Sequence, residues 1–120
     1  MRRFVRNLHF ALQGLGFAIR SQRHMQVHLV AAVLVIILAA ALRISKVDWL
    51  FLIGTCTLVI SLELVNTAVE KTVDLAMPQQ HPLAKAAKDT AAAAVLVAAV
   101  SAVVIGVIIL GPPLLERFGY

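Results

Sequence analysis

Apolar residues fill three long stretches of this chain, and polar residues collect in the gaps between them. The first stretch runs from Val27 to Leu42 and can be extended at its N-terminal end; the second opens at Trp49 and stays apolar to Leu62; the third runs from Ala91 to Leu110. A helix of about 20 apolar residues crosses a hydrocarbon core about 30 Å thick. The pattern therefore predicts transmembrane helices over 27–42, 49–76 and 84–111. Trp49 suits the membrane interface, where an indole ring has both an apolar body and a polar edge. The residues from Arg43 to Asp48 read as a polar connection. Met77 to Leu83 reads as a loop punctuated by Pro78 and Pro82, and Gly111-Pro112-Pro113 as the end of the third helix.

Before the first span the period changes. At 100° per residue, Phe4, Leu8, Ala11, Leu12, Leu15 and Ile19 share one side of a helix, with Arg2, Arg6, Gln13 and Arg20 on the other. Residues 1–25 are thus expected to form an amphipathic helix lying in the headgroup region. Gly14 and Gly16 weaken it in water and allow close approach to a neighbouring helix. A cleaved signal peptide fits poorly, because Gln13 interrupts the apolar part and Ser21-Gln22-Arg23-His24 is no small-x-small cleavage site. The fold class expected is an all-α integral membrane protein: one domain over 1–120, with a surface helix and three spans.

Composition agrees with that reading. A hydrophobic share of 61% and a mean hydropathy of +0.91 exceed what an ordinary soluble domain carries. The net charge of +5 does not point to nucleic acid, because no basic stripe is interleaved with exposed aromatics. It reads as topology. Arg2, Arg3, Arg6, Arg20, Arg23, Lys71, Lys85 and Lys88 fall on one side of the membrane, against Arg43, Lys46 and Arg117 on the other. The excess places the N-terminus and the Pro78 loop in the cytoplasm and the C-terminus outside. Cys56, the single cysteine, rules out an intrachain disulfide and reads as a thiol in an apolar run.

The candidate chemistry lies on the second span. Glu63, Asn66, Glu70 and Asp74 are spaced by three, four and four residues, which gathers them within about 80° on one face, over roughly 16 Å of helix. A centrally placed intramembrane charge costs about 2.5–3.5 kcal/mol even on insertion scales, so it usually marks pairing, a metal or function. Lys85, Lys88 and Asp89 lie at the facing end of the third span. Carboxylates that hold a metal, beside ammonium groups that meet phosphates, suit a magnesium-nucleotide. A deeper carboxylate suits removal of a proton from a hydroxyl presented by the bilayer. The plain alternative is structural: Glu63 bonded to a Ser or Thr on a neighbouring helix, and Glu70 in solvated ion pairs. Four such residues on one stripe favour function. His9, His24, His28 and His81 lack zinc-site spacing, and Gly14-Leu-Gly16 lacks the lysine and strand of a phosphate loop.

The string Glu63-Leu-Val-Asn66-Thr-Ala-Val-Glu70-Lys-Thr-Val-Asp74, followed by His81-Pro-Leu-Ala-Lys85-Ala-Ala-Lys88-Asp89, resembles the prokaryotic diacylglycerol kinase family. It is most similar to the Gram-positive branch, whose members act as undecaprenol kinases. The resemblance extends over nearly the whole chain. It implies a bacterial inner-membrane kinase domain that uses ATP and Mg²⁺ to phosphorylate a lipid alcohol at the cytoplasmic face, undecaprenol ahead of diacylglycerol. It implies Glu63 as the catalytic base and Asn66 beside the transferring phosphate. Glu70 is implied as a metal ligand; Lys88, Asp89 and Asp74, with Lys85 beside them, as the nucleotide end. A homotrimer with sites shared between neighbours is the implied assembly.

One departure bears on the metal. Relatives usually carry Glu where this chain has Gln22, and that Glu is the second metal ligand. Gln22 falls on the apolar side of the first helix, where its amide oxygen remains a legitimate but uncharged ligand. Relatives also often have Asn at His24, Arg at Gln26 and, in the Gram-positive branch, Gly at Ala93. Two other readings therefore stand beside an active kinase: an impaired member that still folds and binds, and a small multidrug-type transporter, which also places a Glu within a span.

Overall fold

The computed structural model describes all 120 residues, which form four helices and no strand: α1 Arg2–Ser21, α2 Arg23–Leu42, α3 Lys46–Ala76 and α4 Pro82–Arg117. The protein is all-α, and α2, α3 and α4 are each long and apolar enough to cross a membrane. At 1.5 Å per residue α2 spans about 30 Å, α3 about 46 Å and α4 about 54 Å. The last two therefore reach past a hydrocarbon core of about 30 Å. The molecule measures 57 × 43 × 21 Å. Three helices packed 8–10 Å apart do not fill the second dimension, and α1 accounts for the rest by projecting from the bundle.

Five boundaries differ from the expected ones. The surface helix does not run to residue 25. It breaks at Gln22, whose backbone is extended at φ −117° and ψ 111°. Ala18 and Met25, buried on either side, anchor the two helices, and the chain turns between them. Gln26 braces the turn by donating from Nε2 to the Ile19 carbonyl at 2.9 Å, which satisfies a carbonyl that the break would leave bare. After the turn α2 starts at Arg23, earlier than residue 27.

The third helix starts at Lys46 rather than Trp49, because Ser45 and Asp48 form a cap. The Ser45 hydroxyl accepts from the Asp48 amide at 3.1 Å and donates to the Asp48 carboxylate at 2.7 Å. Ser45→Ala is expected to lower stability by about 1 kcal/mol, read as an earlier midpoint in denaturant unfolding of the detergent-solubilised protein. At the other loop Pro82, not Ala84, is the first residue of α4. Its missing N–H costs nothing in a first turn, and the His81 ring caps that turn by accepting from the Leu83 amide at Nδ1.

The fourth helix passes through Gly111-Pro112-Pro113 and ends only at Arg117. The two prolines leave the carbonyls of Ile108 and Ile109 without a helical donor, but their fixed φ is compatible with a helix. Packing holds the segment in line. Leu110 is buried with Ala39 and Leu52 in the small core that joins the three spans, and the Arg117 guanidinium donates to the Ala41 carbonyl at 3.4 Å.

That core is small. Only 12 of 120 residues are buried, and the chain exposes 9039 Å², where a soluble monomer of 12.9 kDa would expose about 6,300 Å². Val30, Leu34, Val97, Val103 and Ile108 are among the exposed apolar side chains, as expected where lipid or another protein face is the solvent.

Candidate active site

Four of the twelve buried residues are polar, and all four lie on α3: Thr55, Glu63, Asn66 and Thr67. Helical periodicity places them there. Leu52, Thr55, Val59, Glu63 and Asn66 follow at steps of three or four and make the face that α3 turns inward. Glu63 is 2% exposed, and no ion pair reaches its carboxylate. The structural alternative in which Glu63 bonds a neighbouring Ser or Thr is not what the fold shows. Thr67 instead donates to the Glu63 backbone carbonyl at 2.9 Å, which leaves the carboxylate unengaged. Thr67 is a residue the sequence reading missed, although a threonine four residues after a glutamate is a recognisable back-bonding position.

One turn toward the loop, the Asn66 amide donates from Nδ2 to the half-buried Glu70 carboxylate at 3.4 Å. The Asn66 Oδ1 atom is buried and has no partner. A buried acceptor without a donor is destabilising by about 1–3 kcal/mol, so this atom can take a donor or a cation at little further cost. Asp74, at the exposed end of the stripe, meets Lys88 of α4 at 2.7 Å. Lys85 and Asp89 pair with each other within α4. The stripe and the α4 cluster are therefore joined through Asp74 and Lys88, with Lys85 and Asp89 beside them in the same cleft.

Between the inner ends of α3 and α4 lies a polar cleft of about 740 Å³, lined by Asp74, His81, Lys85, Lys88 and Asp89 together with the loop. Its electrostatics follow from helix direction. The C-terminal end of α3 carries partial negative charge and the N-terminal end of α4 partial positive charge. The positive end of the α4 dipole and two lysines in its first turns suit phosphates, and the carboxylates ending α3 suit a cation. Anion and cation positions side by side are what a metal–nucleotide requires.

Gln22 sits apart from this cluster, at the junction of α1 and α2. It is half-buried, and its amide donates weakly to the Ser21 hydroxyl at 3.5 Å. It lies on neither helix, so the apolar-side position expected for it is corrected to a hinge position. Helix α1 touches both α2 and α3, which brings the hinge against the bundle. No three His, Cys, Asp or Glu side chains of the chain enclose a metal site. The oxygens on offer are those of Glu70 and the orphaned Asn66 amide, with the Gln22 amide oxygen apart from them at the hinge. An oxygen-only, open set of this kind fits Mg²⁺, which keeps waters and phosphates in its shell.

Comparison with known proteins bears on what this cleft does. The family described as prokaryotic diacylglycerol kinase matches residues 9–110. The chain is 41% identical to an undecaprenol kinase of Bacillus subtilis over 114 residues, 95% of this chain and 93% of that protein. It is 44% identical to a diacylglycerol kinase of Synechocystis over 108 residues, 89% of this chain and 62% of that protein. With a diacylglycerol kinase of Escherichia coli it shares 31% identity over 90% of this chain and 88% of the relative.

Proposed function

This chain belongs to the prokaryotic diacylglycerol kinase family and is a lipid kinase; from that premise we propose that it transfers the γ-phosphoryl group of ATP to the hydroxyl of undecaprenol, with diacylglycerol as the second candidate acceptor. The observation that carries the reading is the Glu63 carboxylate, buried, unpaired, and on the same helical face as the residues that lead to the polar cleft. Glu63 takes the proton from the lipid hydroxyl as that oxygen bonds to the γ-phosphorus and the bond to the β-phosphate oxygen breaks. Asn66 stands beside the transferring group, oriented by its bond to Glu70. Lys88 and Lys85 bind the phosphates, and Asp74 and Asp89 hold the two lysines in place. Glu70 and the Gln22 amide oxygen would hold Mg²⁺, which when bound supplies neutralisation of phosphate charge.

The cleft opens at the cytoplasmic face of the bacterial inner membrane. That orientation is supported by the excess of arginine and lysine at the α1 and Pro78-loop end. The working unit is a homotrimer of single-domain subunits with sites shared between neighbours. The large exposed apolar area and the open metal site support it.

The test is phosphoryl transfer from Mg-ATP to undecaprenol or diacylglycerol by this chain and by its Gln22→Glu variant. Turnover by both is expected, with the variant needing less magnesium. Turnover only by Gln22→Glu would instead favour an impaired member, the reading that the uncharged Gln22 motivates. A transporter role has no support beside a lipid-kinase family.

Lys88→Gln is expected to raise the KM for ATP about tenfold, the loss of one charge-assisted hydrogen bond to phosphate. It should leave thermal unfolding unchanged, because the pair with Asp74 is exposed to solvent. A KM unchanged by the substitution would remove Lys88 from the nucleotide site.

A further inference from the structure

Proton removal by Glu63 leaves a proton on a buried group that has no ion-pair partner. That proton has to leave before the next hydroxyl can be deprotonated. The facing helix supplies a carrier. Met25, His28, Ala32, Val35 and Ala39 recur at steps of three and four along α2, and each is buried or half-buried, so they form the face that α2 turns inward. Ala39 shares the core cluster with Leu52 of α3. Eleven residues from Ala39 toward the hinge lies His28, and eleven residues from Leu52 toward the Pro78 loop lies Glu63. Because the two helices run antiparallel, both steps cover about 16 Å in the same direction. The ring and the carboxylate thus stand at one depth on facing helices. His28 also shares a wall with Val59 and Ile60 of α3 and Ala99 of α4. Packed helices lie about 8–10 Å apart, a separation that an imidazole and a carboxylate span directly or through one water.

No other titratable group competes at this depth. Helix α4 carries none between Asp89 and Glu116, and α3 none but Cys56 between Asp48 and Glu63. Arg20, Arg23, His24 and Lys71 are exposed, and Glu70 lies two turns nearer the loop. We propose that His28 takes the proton from Glu63 after each transfer and releases it to water beside His24. The inference rests on the lipid-kinase reading, in which Glu63 is the base, and adds the step that resets that base. The lipid O–H proton passes to the Glu63 carboxylate and then to one ring nitrogen of neutral His28, while the other nitrogen gives up a proton outward. Glu63 is again a carboxylate, His28 is again neutral, and one proton has reached water. Imidazole suits the task because its two nitrogens allow uptake on one side and release on the other. It also holds a proton more tightly in water than a carboxylate does. His24, exposed one turn nearer the hinge, marks where the route meets the headgroup region.

His28→Ala and His28→Gln are each assayed with Mg-ATP and undecaprenol. Both should lower steady-state kcat by about tenfold or more, with the first turnover and the KM for ATP unchanged. Added imidazole should recover most of the rate in His28→Ala, which leaves room for it, and not in His28→Gln. Unchanged steady-state turnover, an equal loss in the first turnover, or no recovery by imidazole would each overturn the relay. A second measurement needs neither variant to be active. The titration of the His28 ring, followed by ¹⁵N NMR in the parent and in Glu63→Gln, should be displaced by about one pH unit, as expected of groups close enough to exchange a proton. Superimposable curves would put the ring out of reach of Glu63 and overturn the relay, even where phosphorylation proceeds. A parent chain that phosphorylates neither undecaprenol nor diacylglycerol overturns the kinase reading and the relay together.

Discussion

Glu63→Gln is expected to lower turnover by about 10²–10⁴-fold, the range that general base catalysis supplies, while the KM for ATP and the oligomeric state stay as they are. The substitution is nearly isosteric and replaces a buried carboxylate, 2% exposed and without an ion-pair partner, by a neutral amide. Burial of an amide is less costly than burial of a charge, so the variant should fold at least as well as the parent. An effect confined to kcat marks an interaction made during the reaction rather than during nucleotide binding. Single-turnover measurement with saturating ATP and lipid reads it directly. Turnover within a few-fold of the parent would take Glu63 out of the role of base and leave its burial to be explained by packing.

Glu70→Gln should act on a different axis. With Gln22 already neutral, Glu70 is the one carboxylate in the metal set proposed here. The substitution leaves Mg²⁺ with neutral amides, phosphates and water. Changing even the partners of metal ligands costs about 10–100-fold in metal affinity, and removal of the charged ligand itself should cost at least that. A magnesium titration of phosphoryl transfer should show half-saturation displaced upward by about 100-fold, with rate largely recovered at high magnesium. Adding Gln22→Glu to Glu70→Gln should move the curve part of the way back, because the restored carboxylate sits at the hinge that α1 holds against the bundle. If Glu70→Gln leaves the titration in place, the metal is held elsewhere.

The spans and the acidic stripe were legible in the sequence because each is a property of one helix. An apolar run announces a span, and spacings of three and four put Glu63, Asn66 and Glu70 on one face wherever that helix goes. The starts of α3 and α4 were missed by three and two residues, because the polar stretches that hold the Ser45–Asp48 cap and the first-turn Pro82 read as connections. The break at Gln22 carried no glycine or proline. It arises where a helix projecting from the bundle gives way to one that spans, and Gln26 serves that break by a bond seven residues back. Passage of α4 through Pro112 and Pro113 depended on contacts with α2, through Leu110 and Arg117, that no local pattern records. The pairing of Asp74 with Lys88 likewise comes from two helices meeting.

The central claim is that the inner end of α3 and the start of α4 together receive the metal–nucleotide. The chain contains three glutamates, Glu63, Glu70 and Glu116, and the last lies at the opposite end of the bundle, in the final turn of α4. Protein labelled with ¹³C at the glutamate carboxyls and given Mn²⁺-ATP in place of the magnesium complex tests the claim by paramagnetic broadening. The account predicts a Glu70 signal broadened beyond detection, a strongly broadened Glu63 and an unchanged Glu116. Sharp Glu70 and Glu63 signals under saturating nucleotide would contradict it.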